Sequence, residues 1–169
     1  SPEHPIVLLK RKQDNGLAAN LAPGITDLGV MLPYTPLHHL LLAEPHCPEA
    51  LVMTSGNSSG EPICIANEDA LKRLGSIADF FLLHNRDIVT RVDDSVVKYI
   101  GNVPRMFRRS RGYVPSPLQL SYKLPEIIGC GGGLKSTFSL AREQTIFPSQ
   151  HIGDLFNLSA FEFFTESVD

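Results

Sequence analysis

The feature that most constrains this fold is a four-residue stretch, Val114-Pro115-Ser116-Pro117. Each proline fixes its own φ, removes a backbone N–H and pushes the residue before it into extended conformation. No helix crosses such a stretch, so the 169-residue chain is read as two parts, residues 1–117 and 118–169. That length suits one domain or one and a half. With 43% hydrophobic and 20% charged residues the composition is that of a soluble globular chain with enough apolar mass for a core.

Within the first part, residues 51–62 read L-V-M-T-S-G-N-S-S-G-E-P. The run Leu51-Val52-Met53 reads as the end of a buried strand. The seven residues after it are all Ser, Thr, Asn or Gly, and they offer hydroxyls, a carboxamide and N–H groups left uncovered by glycine. A strand that ends in such a loop is a common anion or nucleotide site in α/β proteins. The same letters also make an ordinary polar turn, which is the reading that composition alone favours.

The remaining elements follow from local pattern. Residues 5–9 are a short apolar strand ending in Lys10-Arg11-Lys12, which is either a solvated strand end or three cations facing a phosphate. Asn15-Gly16 marks a turn, and residues 18–21 form a short, helix-like stretch. Residues 28–32 read as a strand closed by Pro33. Thr35 and Pro36 suit the N-cap and first position of a helix with Leu37, Leu40 and Leu41 on one face. His38 and His39 are adjacent, so on a helix they point about 100° apart and do not share a metal. Asn67 reads as the cap of a second helix with Ala70, Leu71, Leu74 and Ile77 as its apolar stripe. Phe80-Phe81-Leu82-Leu83 reads as a buried strand. Residues 88–100 hold two β-rich runs around Asp93-Asp94-Ser95, with Gly101-Asn102 as a hairpin turn. Past the prolines, residues 127–130 are a strand that enters Gly131-Gly132-Gly133. Residues 138–142 and 145–147 are strands around a turn at Glu143-Gln144, and 154–168 are a helix with Leu155, Leu158, Phe161 and Phe164 inward.

Bulk properties exclude several classes. A net charge of −3 does not favour nucleic acid or membrane as partner. The local exception is residues 105–111, with four arginines in seven residues. No apolar run approaches the ~18 residues of a membrane span, and no secretory signal opens the chain. Cys47, Cys64 and Cys130 form no C-x-x-C pair, which argues against a disulfide framework and a structural zinc site. A reducing cytoplasm is the expected location. The chain lacks an initiator Met and reads as a piece of a longer protein.

Three features could meet a phosphate: Ser55, Asn57 and Ser59; Asp94-Ser95 with Arg108, Arg109 and Arg111; and the glycines 131–133 with Lys135 and Thr137. The last is not a Walker A loop, because G-x-x-x-x-G-K-[ST] is absent. Together they favour a nucleotide or acyl-phosphate enzyme over a plain binding module.

Several strings carry a family resemblance. L-G-V-M-L-P-Y-T-P-L-H-H-L-L-L (28–42), M-T-S-G-N-S-S-G-E-P-I (53–63), R-V-D-D-S-V-V (91–97) and R-R-S-R-G-Y-V-P-S-P-L (108–118) resemble the HypF family of hydrogenase maturation carbamoyltransferases. So do G-C-G-G-G-L-K-S-T-F (129–138) and S-Q-H-I-G-D-L (149–155). The resemblance spans residues 5–158 in the family's order. It implies an α/β (α+β) fold: a twisted mixed sheet of YrdC-like type in 1–117, then the opening β-hairpin and helix of an actin/Hsp70-like carbamoyl-transfer domain in 118–169.

The resemblance implies a chemistry as well. Carbamoyl phosphate is processed with loss of its phosphate and, with ATP, gives a carbamoyl-adenylate and pyrophosphate, and the carbamoyl group then passes to the C-terminal cysteine of the partner HypE to become a cyanide ligand. Ser55 and Asn57 would hold the carbamoyl moiety and α-phosphate. Thr54, Ser59, Asp94, Ser95, Arg109, Arg111, Gly131, Gly132, Lys135 and Thr137 would line nucleotide, with Lys10 and Arg11 as further cationic candidates. Mg²⁺ would be held mainly by substrate phosphates, and zinc only by modules outside this chain. Met31 stands where stand-alone YrdC-like synthases carry arginine, which argues against a threonylcarbamoyl-adenylate synthase. That synthase and an RNA-binding module are the alternative readings, with RNA binding expected to be weak or absent. The isolated piece is expected to be inactive, since its second part is too short for a two-lobed cleft. It is also expected to leave an open sheet edge that a second copy covers.

Overall fold

The computed structural model describes residues 1–12, 16–18 and 20–169. The expected turn residue Asn15 and part of the 18–21 stretch fall outside them. The chain forms two compact units, Ser1–Met53 with Asp94–Gly112, and Thr54–Asp93 with Tyr113–Asp169.

The first unit is a four-stranded mixed sheet in the order β2-β1-β3-β4. The apolar strand β1 (Ile6–Lys10) is central; it pairs antiparallel with β2 (Asp27–Val30) and parallel with β3 (Val96–Ile100). β3 turns into β4 (Val103–Arg108) through Gly101 and Asn102, at φ +58° and +62°. Both residues tolerate the left-handed region that a two-residue primed turn requires, so the expected hairpin forms there. Thr35 caps α1 (Pro36–Ala43), its Oγ1 accepting from His38 N at 3.1 Å, as its position before Pro36 predicts. The leucine face of α1 is not buried: Leu37, Leu40 and Leu41 stay exposed. The expected strand end at 51–53 is likewise not a strand, and Val52 is 80% exposed.

In the second unit, α2 (Asn67–Leu74) starts one residue earlier than its sequence suggests. Ala66 occupies the cap position, and Asn67 is already helical and donates its side-chain amide to His84 O at 2.7 Å. Phe80–Leu83 is not a strand, and Phe80 is 93% exposed. Apolar composition alone does not make a strand; it needs a neighbour to take its N–H and C=O groups, and no described residue pairs with this run.

β5 (Leu118–Cys130) and β6 (Phe138–Pro148) form a long antiparallel hairpin. The expected turn at 143–144 is instead an irregularity inside β6: Glu143 sits at φ +54°, and the register shifts on both sides of its partner Leu124. α3 (Leu158–Val168) begins at its cap Asn157 rather than at residue 154. Gly153, at φ +103°, cannot be helical, and the cap bond from Ala160 N to Asn157 Oδ1 sets the start. That shifts the inward face to Ala160 and Phe163, with Phe164 edge-on to Phe138 at 5.8 Å; Leu158 and Phe161 face outward.

Candidate functional site

The Ser/Gly/Asn loop of the second unit is held from within by one side chain. Asn57 Nδ2 donates to Ser58 O at 3.0 Å and to Glu61 O at 2.9 Å, and Asn57 N donates to Ser55 O at 3.0 Å. Cys64 N donates to Gly56 O at 2.9 Å and closes the base of the loop. The other end of the Asn57 amide is the notable atom: Oδ1 is buried and has no hydrogen-bond partner among the described residues. A buried acceptor without a partner is costly, and it is the kind of group a ligand satisfies. Thr54, Ser55 and Ser59 stay exposed around it.

The exit of this loop is braced by α2. Arg73 Nη2 reaches Glu61 Oε2 at 2.7 Å and Pro62 O at 3.0 Å, while Nη1 reaches Asp69 Oδ2 at 2.8 Å, one helical turn back. The Asp69 bond, followed by that of Glu61, pushes the Arg73 pKa up. Arg91 donates Nε to Ile63 O at 3.1 Å, pairs with Glu166 at 3.4 Å and lies 5.5 Å above the Phe163 ring. These side chains, with Ser58, Ser159 and Glu162, line a cavity of ≈ 520 Å³. Neither Arg73 nor Arg91 stands out as a site residue in the sequence; the i, i+4 spacing of Asp69 and Arg73 is the local signal for the first.

The glycine loop at 131–137 connects β5 to β6. Gly131 N donates to Thr137 O at 2.8 Å, and a Cβ on Gly131 would meet that same oxygen at 2.8 Å, so only glycine fits. Gly132 and Gly133 border open space. Ser136 is 1% exposed and Thr137 is half-buried. Lys135, at φ +48°, donates its backbone N–H to Asp154 Oδ1 at 2.6 Å.

In the first unit the structure brings together Asp94, Ser95 and Arg111. Arg111 donates Nε to Asp94 Oδ1 at 2.6 Å and Nη2 to His4 O at 2.7 Å, and its guanidinium lies 3.8 Å from the Tyr34 ring centre. Met31 Sδ is 3.8 Å from Nη2. Burial pushes the Tyr34 hydroxyl pKa up against the opposing pull of Arg111. Ser95 is wholly buried; its hydroxyl donates to Arg111 O at 2.9 Å and accepts from Ser110 N at 2.7 Å. Burial lowers the Arg109 pKa. Lys10 and Arg11 lie at the far end of β1: Lys10 faces Asp27 in the ladder, and Arg11 is turned onto the carbonyls of Leu21 and Ala18 at 2.9 and 3.2 Å.

Known families match the chain in two successive stretches, and the first of them runs through both compact units. Residues 1–110 match the Sua5/YciO/YrdC family, described as telomere recombination, and residues 122–169 match the HypF Kae1-like domain. The chain is 46% identical to a carbamoyltransferase HypF of Rhizobium leguminosarum bv. viciae over 99% of its own length, and 47% identical to that of Synechocystis sp. over 97%. It spans 23% and 21% of those two relatives, so it corresponds to less than a quarter of each. A crystal structure of full-length HypF in a phosphate- and nucleotide-bound form superposes with TM-score 0.89 at 48% identity, over 98% of this chain and 26% of that one. HypF of T. kodakarensis superposes with TM-score 0.91 at 38% identity, over 98% and 21%. Among the described residues no helix is long and apolar enough to cross a membrane.

Proposed function

We propose, from the premise that this chain belongs to the Sua5/YciO/YrdC family, that it is part of a HypF-type carbamoyltransferase acting in hydrogenase maturation. The observation that carries the proposal is the joining of a YrdC-like segment to a HypF Kae1-like segment in one chain, alike to HypF relatives along nearly all of its length. In this reading water cleaves carbamoyl phosphate to carbamate and inorganic phosphate, and a carbamate oxygen then attacks the α-phosphorus of ATP, giving a carbamoyl-adenylate as pyrophosphate leaves. The thiol of a C-terminal cysteine on HypE then forms a C–S bond to the carbamoyl carbon as the C–O bond to AMP breaks.

The residues fit such substrates in two places. Asn57 Oδ1 is a buried acceptor suited to the carbamoyl NH₂, with Ser55, Thr54 and Ser59 offering hydroxyls beside it. The open backbone at Gly132 and Gly133, with Lys135 and Thr137, suits a phosphate chain. Fixed donors of this kind stabilise charge that develops at phosphorus without reorganising. Asp94, Ser95, Arg109 and Arg111 shape the first unit, and Mg²⁺ would enter on the phosphates.

The test is exchange of labelled pyrophosphate into ATP by the full-length protein. Exchange that depends on carbamoyl phosphate, and falls at least about tenfold in Asn57→Ala, is the expected result. Exchange that ignores carbamoyl phosphate would sink the proposal.

A further inference from the structure

We propose that Asn157 is a positioning residue that ties the 55–60 loop to the 131–137 loop, so that the two respond as one. Its side chain makes two bonds of different kinds. Oδ1 accepts from Ala160 N at 2.9 Å and starts α3; Nδ2 donates to Gly60 O at 2.7 Å and holds the end of the Ser/Gly/Asn loop. A helix cap needs only the acceptor, which Ser, Thr and Asp supply equally well. The choice of asparagine is explained by the second bond.

The other end of the tie lies three residues earlier. Asp154 Oδ1 takes the Lys135 N–H at 2.6 Å, Leu155 N donates to Gly133 O at 2.8 Å, and Ser136 N donates to Gly153 O at 2.7 Å. From Asp154 to Asn157 the chain spans at most about 11 Å, and Phe156 N is itself bonded to Asp154 O at 2.9 Å. Such a short, bonded strap has no slack to absorb a shift. α3 is also clamped at the far side of the Ser/Gly/Asn loop, where Arg91 covers the buried Phe163 and bonds Ile63 O at 3.1 Å. A displacement of the glycine loop therefore reaches Gly60 through Asp154, Leu155 and Asn157. Gly60 and Asn157 lie in the two segments that match different families, yet in one compact unit.

The functional consequence rests on the nucleotide reading above; the coupling itself does not. The test is amide hydrogen exchange on the full-length protein, comparing wild type with Asn157→Asp, which keeps the cap acceptor and loses the donor to Gly60. Without ligand, Asn157→Asp is expected to speed exchange about fivefold at residues 56–61, the loss of one hydrogen bond, and to speed it at 133–137 as well, with helix content unchanged. Faster exchange beside Gly60 alone, or no change at all, overturns the proposal. If the new carboxylate unfolds α3 by repelling the Gly60 carbonyl, Asn157→Ser gives the same reading with a neutral cap. With ATP and Mg²⁺ added, protection in wild type is expected at both loops, and in Asn157→Asp at 131–137 only. ATP that alters neither loop in wild type removes the nucleotide reading, and the ligand-free comparison still decides the coupling.

Discussion

Removing the Arg111 side chain tests whether this arginine holds its own unit together. Its guanidinium is about three-quarters buried, at 24% side-chain exposure, and three of its contacts are close enough to carry its stabilising role. The ion pair to the part-exposed Asp94 carboxylate at 2.6 Å is worth about 1 kcal/mol. The charge-assisted bond to His4 O at 2.7 Å adds about 1.5 kcal/mol. Stacking on Tyr34 at 3.8 Å adds about 1 kcal/mol. Because the three share one side chain they do not add fully, and Arg111→Ala is expected to cost about 3 kcal/mol. Arg111→Lys keeps the charge but not the planar fork, and is expected to cost about 2 kcal/mol. Urea unfolding measures both, followed by far-ultraviolet circular dichroism and by tyrosine emission, since the chain has four tyrosines and no tryptophan. A cost under about 0.5 kcal/mol for alanine, within the range of an ordinary surface change, would refute the reasoning. So would a lysine variant as stable as wild type. Weakened ATP affinity with intact stability would instead make Arg111 a ligand-binding group.

Further outcomes follow from close contacts and burial. Gly112→Ala is expected to destabilise by at least about 2 kcal/mol, because φ is +86° and the new Cβ would strike the Glu3 backbone, whereas Gly132→Ala meets no atom and should leave the thermal midpoint unchanged. Burial pushes the Cys64 thiol up, so iodoacetamide at mildly alkaline pH should label exposed Cys130 first and Cys64 last, read by mass spectrometry. The folded chain then keeps the Cys64 proton to higher pH than the unfolded chain does. That contribution to stability is complete below about pH 8.5, the ordinary thiol value, and declines as pH rises through the folded pKa. Alkaline unfolding curves of Cys64→Ala should lack that part of the decline.

What the sequence makes legible here is chemistry that acts over a few residues. Thr35 before Pro36 caps a helix, and Gly101-Asn102 turns a hairpin, because each answers a local steric or hydrogen-bonding need. Phe80–Leu83 and residues 51–53 are misread for the opposite reason: apolar letters record a need for cover without naming the neighbour that meets it. The start of α3 is a local matter that pattern alone misplaced, since the acidic Asp154 resembles a first-turn residue while the cap lies at Asn157. Candidate site residues fall between these cases. Ser95 reads as a ligand-lining hydroxyl, and its hydroxyl is engaged with Arg111 O and Ser110 N. Sequence reading treats Asn, Asp, Ser and Thr as near-equivalent turn and cap formers. Asn57 and Asn157 show where that equivalence ends. Both use Nδ2 to fasten backbone, Asn57 to Ser58 and Glu61, Asn157 to Gly60. The oxygens divide the work: Asn157 Oδ1 caps α3, and Asn57 Oδ1 is buried without a partner among the described residues. Aspartate at either position would keep the acceptor and release the loop. The loop's shape therefore depends on the donor end of both amides, and its capacity for a ligand on the acceptor end of one.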